Sequence, residues 1–182
     1  MQSSGRKTFT CQSTLTRPAD TNAYASGDLI ASSTTAGSIV VPSFNFSTLL
    51  DPQDEFLEIT SGQLYTSLAS GFTTFQGQMD FFQGTAPTFT NGDNGAYAVA
   101  TGMAGLVFRM ITEVSAAKKC GGDGASLDCT LGSTYGLGTF GVQPIIISRN
   151  QLLYWSLWEV DATGFTPASG TTFTLTLQGF RY

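Results

Sequence analysis

The chain contains no histidine. That absence removes every Ser-His-Asp or Cys-His nucleophilic arrangement and nearly all zinc sites of the common kinds. Charge is also scarce: 12% of residues are Asp, Glu, Lys or Arg, about half the usual share for a soluble domain. The surface must therefore be solvated mainly by neutral groups, and threonine and serine supply them. What charge exists is acidic, with 13 acids against 8 bases and a net charge of −5. A nucleic-acid-binding domain would show a basic face instead. No stretch approaches the roughly 18–20 apolar residues of a membrane span. The opening MQSSGRKTFTCQSTLTRPAD has no apolar run behind its basic pair, so it does not read as a secretory signal. Synthesis and folding in a cytosol are expected.

Cysteine is sparse and odd in number: Cys11, Cys120 and Cys129. An odd count argues against a disulfide framework, and there is no histidine to complete a metal cluster. Cys120 and Cys129 flank CGGDGASLDC, which could close as a local disulfide loop. Reduced thiols are the simpler reading for a protein assembled in a cytosol.

What is abundant is alternation. In TTFTLTLQGF, Phe173, Leu175 and Leu177 alternate with Thr172, Thr174 and Thr176, the pattern of a strand with one buried face. Phe9, Cys11 and Leu15 do the same near the start. Further strands are expected at Tyr24–Ile30, Ser38–Phe44, Glu55–Ser61, Gln63–Leu68, Gln76–Phe82, Ala96–Thr101, Leu106–Ile111, Gln143–Ser148 and Leu152–Val160. Turn residues punctuate the gaps, as at Arg17-Pro18-Ala19-Asp20, Ser26-Gly27-Asp28, Asn91-Gly92-Asp93 and Thr166-Pro167. Helix signals are weak. Asp51–Leu57 could hold one turn, with Pro52 at its first position. In 103–118, Gly105 and the β-branched Val107, Ile111, Thr112 and Val114 favour strand over helix.

The expectation is an all-β protein: one antiparallel β-sandwich of jelly-roll or Greek-key type spanning 1–182. An N-terminal arm (1–8) precedes it, and one long glycine-rich loop (115–141) leaves it as a candidate contact arm. With 14 phenylalanines, the core can be built from large rings.

Catalytic and ligand-binding candidates are thin. Asp51, Asp54, Glu55 and Glu58 lie in one short segment that a paired-carboxylate hydrolase could draw on. Any acidic surface turn looks the same. GDNG (92–95) and GGDG (121–124) are oxygen-rich but lack the spaced ligands of an EF-hand loop. Asp93 and Asn94 read better as an Asx turn. Gly136-Leu137-Gly138 has no following helix to complete a phosphate cradle. No catalytic, cofactor or metal residue is assigned. The aromatic cluster Tyr154, Trp155, Leu157 and Trp158 is stronger. Tryptophans three apart fall on opposite strand faces, so one should be exposed or lie in an interface. Stacking on a sugar is the lectin-like alternative to packing. Arg6 with Lys7, and Lys118 with Lys119, are basic pairs that could dock on an acidic surface. With Trp155 and Trp158, they complete the candidate contact residues.

Two stretches resemble one family. Thr16-Arg17-Pro18-Ala19-Asp20-Thr21-Asn22-Ala23-Tyr24-Ala25-Ser26-Gly27-Asp28-Leu29-Ile30 is similar to the strand–turn–strand opening of small virion structural proteins of tailed bacteriophages. There Pro18 and Asp20 turn the chain and Tyr24 anchors the next segment. Met79-Asp80-Phe81-Phe82, then Ala86-Pro87-Thr88-Phe89 and Asp93-Asn94-Gly95-Ala96-Tyr97, resembles that group's strand, proline turn and aspartate-led loop. Leu152-Leu153-Tyr154 and Phe165–Leu175 look like its closing strands. The resemblance covers about half the chain, and its motifs are structural. It implies a β-sandwich bound to the outside of a capsid, often as a homotrimer, that reinforces the shell as a decoration or cement protein. The implied partner is the major capsid protein, and the implied location is the capsid surface of the virion. A glycan- or receptor-binding module of a tail or fibre is the alternative, and a hydrolase ranks last. No nucleic acid, membrane or cofactor is expected to take part.

Overall fold

The computed structural model describes residues 6–48, 56–67, 75–112, 118–119, 125–132, 145–148, 152–160 and 166–182. The alternating segments become strands because each has one face to bury. They are β1 (Lys7–Thr16), β2 (Leu29–Ile30), β3 (Ser43–Phe44), β4 (Phe56–Thr66), β5 (Gly77–Gln83), β6 (Thr88–Phe89) and β7 (Val99–Thr101). After them come β8 (Leu106–Thr112), β9 (Lys118–Lys119), β10 (Ala125–Gly132), β11 (Ile145–Ser148), β12 (Leu153–Glu159) and β13 (Thr172–Arg181). The helical content among the described residues is limited to short 3-10 turns.

All strand pairings are antiparallel. One layer sets β13 between β1 and β4, with β11 and β10 along the far edge of β4. The other runs β8–β5–β12, with β2 and β3 beside β12. β10 joins them. It pairs with β4 from Ala125 to Cys129 and with β8 from Cys129 to Gly132, so eleven strands form one folded sheet.

The inner faces meet in one core. Leu57, Ile59, Leu64, Phe173, Leu175 and Leu177 from the first layer join Met79, Phe81, Met110, Leu153, Trp155 and Leu157 from the second. Trp155 is fully buried, and its indole Nε1 donates to Ser13 Oγ at 2.9 Å, tying β12 to β1 across the sandwich. Phe81 stacks on Phe108 with centroids 4.1 Å apart. Cys11 packs against this core, and burial pushes its thiol up to about 12. It stays protonated and a poor nucleophile at neutral pH.

The all-β antiparallel sandwich expected from alternation is what the chain forms, but several boundaries differ. Glu55–Ser61 and Gln63–Leu68 are one strand, β4, which passes straight through Gly62. That glycine reads as a break, yet a Cβ there would lie only 3.0 Å from the Met110 sulfur, so the position is small because the core is close. Phe56 and Leu57, placed in a possible helical turn, belong to β4, while 51–55 lie outside the described residues. Lys7 and Thr8, assigned to an arm, open β1. Tyr24–Ile30 and Ser38–Phe44 shrink to Leu29–Ile30 and Ser43–Phe44, because their residues cross over the sheet rather than extend it. Within the supposed loop 115–141, Lys118–Lys119 and Ala125–Gly132 are strands. Alternation of Ala125, Leu127, Cys129 and Leu131 is there to read, but the flanking glycines hide it.

Replacing Trp155 with alanine should cost about 3–5 kcal/mol, the range for deleting a large buried ring. Urea denaturation followed by circular dichroism measures it. A loss below about 1 kcal/mol would contradict the assignment of Trp155 to the core.

Candidate contact surface

β1 ends where Arg17 meets Pro18, which cannot donate to a ladder. The chain turns there, with Asp20 Oδ1 accepting from the Asn22 amide at 3.1 Å. Arg17 is thereby directed inward, its side chain 0% exposed. Its Nη2 donates to Asp20 Oδ1 at 2.6 Å and to Asp93 Oδ2 at 3.3 Å, and its Nε donates to the Tyr24 hydroxyl at 2.8 Å. Tyr24 donates in turn to Asp93 Oδ1 at 2.6 Å, which also receives the Ala31 amide at 2.7 Å. Backbone bonds bind the same two segments: Leu29 N to Gly95 O at 2.8 Å, Asn94 N to Leu29 O at 2.9 Å, and Tyr97 N to Gly27 O at 2.7 Å. Asn94 takes a left-handed φ of 61°, a conformation asparagine tolerates. Thus Tyr24 anchors its segment as expected. Asp93 departs from the Asx-turn expectation, because its carboxylate turns inward to receive Arg17, Tyr24 and Ala31. Burial pushes that carboxyl up, and the Ala31, Tyr24 and Arg17 donors pull against it. Burial likewise pushes the Tyr24 phenol up, so it remains a donor.

A second polar group lies on the outer side of β5, β8 and β12. Asp80 is 0% exposed. Arg109 engages both of its oxygens, through Nε to Oδ1 and through Nη2 to Oδ2 at 2.6 Å, and the Tyr97 hydroxyl donates to Oδ2 at 2.9 Å. Tyr97 also lies parallel to Trp158, with centroids 5.1 Å apart at 7°. The Arg109 guanidinium sits 5.6 Å from the Trp158 ring. Beside these, Leu29, Ala31 and Phe89 form a small second core with Ile39, Val41, Tyr97 and Val99. The chain has covered this outer face with its own residues 24–41 and 86–101.

The two tryptophans do fall on opposite faces, but neither offers an open ring platform. Trp155 is corrected from contact candidate to core residue, since its ring is 0% exposed. Trp158 is half-buried and already stacked on Tyr97. Lys7 is exposed at the start of β1, and Lys118 and Lys119 pair as β9 with Ser126 and Ala125 of β10. Cys120 lies outside the described residues, and the Cys120–Cys129 disulfide expectation with it. Cys129 is the residue at which β10 passes from Gly62 of β4 to Thr112 of β8. Asp51, Asp54 and Glu55 also lie outside the described residues. Glu58 is engaged by Arg6 at 2.8 Å and by the Tyr182 hydroxyl.

The opposite outer face, on β1, β13 and β4, is bare. Its cross-strand rows run Thr10–Gln178–Ser61, Gln12–Thr176–Gln63 and Thr14–Thr174–Tyr65. None of these residues carries charge at neutral pH. Their polar atoms bond one another, Thr14 Oγ1 to Thr174 Oγ1 at 2.9 Å and Gln12 Nε2 to Thr176 Oγ1 at 3.1 Å. At one end Arg6 lies 3.6 Å over the Phe180 ring, near exposed Phe56 and Tyr182. The bulge at Gln178/Gly179 bends β13 before this end, and Gly179 is required because a Cβ would strike Glu58 O. Sequence reasoning recorded the neutral surface and Arg6 but missed that they share a face. The cross-strand register was the missing signal. It also missed Arg109, although a single arginine within apolar LVFRM opposite an aspartate within MDFF is a legible hint of a buried pair.

Family models, curated proteins and solved structures were compared with the chain, and none matches.

Asp93→Ala strands the buried Arg17 guanidinium and the Ala31 amide, and should cost about 3–5 kcal/mol. Tyr24→Phe, which removes one bridging hydroxyl, should cost about 1–3 kcal/mol. Urea titration of the single and double variants checks both. The double variant should fall short of the sum, since the residues share partners. Strict additivity would contradict a single network.

Proposed function

We propose that this protein is a structural component of a tailed-phage virion, a decoration or cement protein that binds the major capsid protein on the outer shell as a homotrimer and bridges capsomers. The observation that carries this reading is the contrast between the two outer faces. One is roofed by the chain's own segments, while the other is a bare sheet of hydroxyls and amides with an aromatic and arginine margin. Protein interfaces favour this composition: charge is depleted at their centre, and aromatics and arginine are enriched. The resemblance to small virion proteins supports the same reading. Its two motifs, around Arg17–Tyr24 and Asp93–Tyr97, are the segments that lock together in the fold.

The mechanism is mass action. A protein that binds the assembled shell and not its separated subunits shifts the equilibrium toward the shell. Several contacts per oligomer raise the effective concentration of each remaining contact once one is made, so release is much slower than for a single subunit. Such a role needs a rigid surface and no titrating group. With no imidazole in the chain, histidine protonation cannot release it between pH 5 and 8.

The test is quantitative mass spectrometry of purified particles together with heating of particles that lack the protein. Many copies per particle are expected, with genome release at lower temperature when the protein is missing. A handful of copies, with unchanged heat stability in its absence, would overturn the proposal.

A further inference from the structure

We infer that the bare face of β1, β13 and β4 is where a second copy of this chain docks. This supplies the self-contact of the homo-oligomer proposed above and rests on that part of the reading. Charge is the first argument. Each copy carries −5 overall, so copies repel one another except where a surface is uncharged. The rows through Thr10, Gln12 and Thr14 provide such a surface, and the charges of Arg6 and Glu58 at its margin are paired with each other at 2.8 Å.

Desolvation is the second. Burying unpaired hydroxyls and amides would oppose association. Here Thr14 with Thr174, and Gln12 with Thr176, already bond across the strands. Those groups keep their hydrogen bonds when water is excluded, and the methyl groups of threonine gain contact.

Size is the third. Three strands about 4.8 Å apart, some ten residues long at about 3.3 Å each, give roughly 480 Å² in projection. Standing side chains roughen that footprint and raise its accessible area toward the roughly 800 Å² per partner of a standard interface. The opposite outer face cannot serve in the same way, because residues 24–41 and 86–101 already occupy it.

Sedimentation equilibrium of the purified protein, free of particles, tests the inference. The wild-type chain should give a multiple of 19.2 kDa. Gln12→Glu and Thr10→Glu, both on exposed positions of β1, should each shift it to the single-chain mass with unchanged circular dichroism. Val40→Glu, at a site 74% exposed on the roofed side, should leave the oligomer intact. Hydroxyl-radical footprinting of the wild-type chain reads the same contact without a variant. Tyr65 and Phe180 should become protected as concentration rises. A monomeric wild-type chain, a folded oligomer of Gln12→Glu, or unprotected Tyr65 and Phe180 would each overturn the inference. These outcomes are independent of particle copy number. An oligomer built on this face but absent from particles would refute the virion reading alone, and an abundant particle protein that is monomeric in solution would refute this inference alone.

Discussion

The organisation of this molecule depends on one buried carboxylate. Asp93 sits in the covering layer, far in sequence from the strand end that delivers Arg17, and it receives Arg17, Tyr24 and Ala31 together. A buried charge is tolerated only when it is paired and its remaining lone pairs are filled. The constraint is reciprocal: Arg17 is as costly without Asp93 as Asp93 is without Arg17. Satisfying both fixes residues 17–31 against 92–97. Those segments then roof one outer face of the sandwich and place Tyr97 over Trp158 and Asp80. The other outer face is left open.

That asymmetry links fold to function. A sandwich whose two outer faces were both threonine-rich would give no reason to prefer one for contact. Here the roof spends its aromatic residues, Phe89, Tyr97 and Trp158, on internal packing. The bare face keeps a neutral, internally hydrogen-bonded surface with Arg6, Phe180 and Tyr182 at its end. Association through such a surface rests on close fit and excluded water more than on ion pairs. Little dependence on ionic strength follows, since screening acts on exposed charges.

Much of this was legible in the sequence. Period-two alternation at Phe9–Leu15 and Phe173–Leu177 found the two strands that pair from Lys7–Arg181 to Thr16–Thr172. It also marked the threonine side as the exposed one. Turn chemistry located Pro18 and Asp20. What escaped depends on contacts between distant segments. Nothing local distinguishes an Asx turn at Asp93 from a carboxylate awaiting an arginine 76 residues away. Trp155 and Trp158 look alike in YWSLW, and only the sandwich decides that one ring is core and the other lies under Tyr97. Gly62 reads as a break until Met110 is seen beside it. β10 was hidden because its flanking glycines outweighed its own alternation.

The central claim, that this chain reinforces a shell from outside, is tested most directly by electron microscopy of the intact particle. The account predicts repeated density for the sandwich on the outer capsid surface, spanning neighbouring capsomers, with β1, β13 and β4 buried against another copy. Density confined to the tail or a fibre, with the shell surface unoccupied, would contradict it.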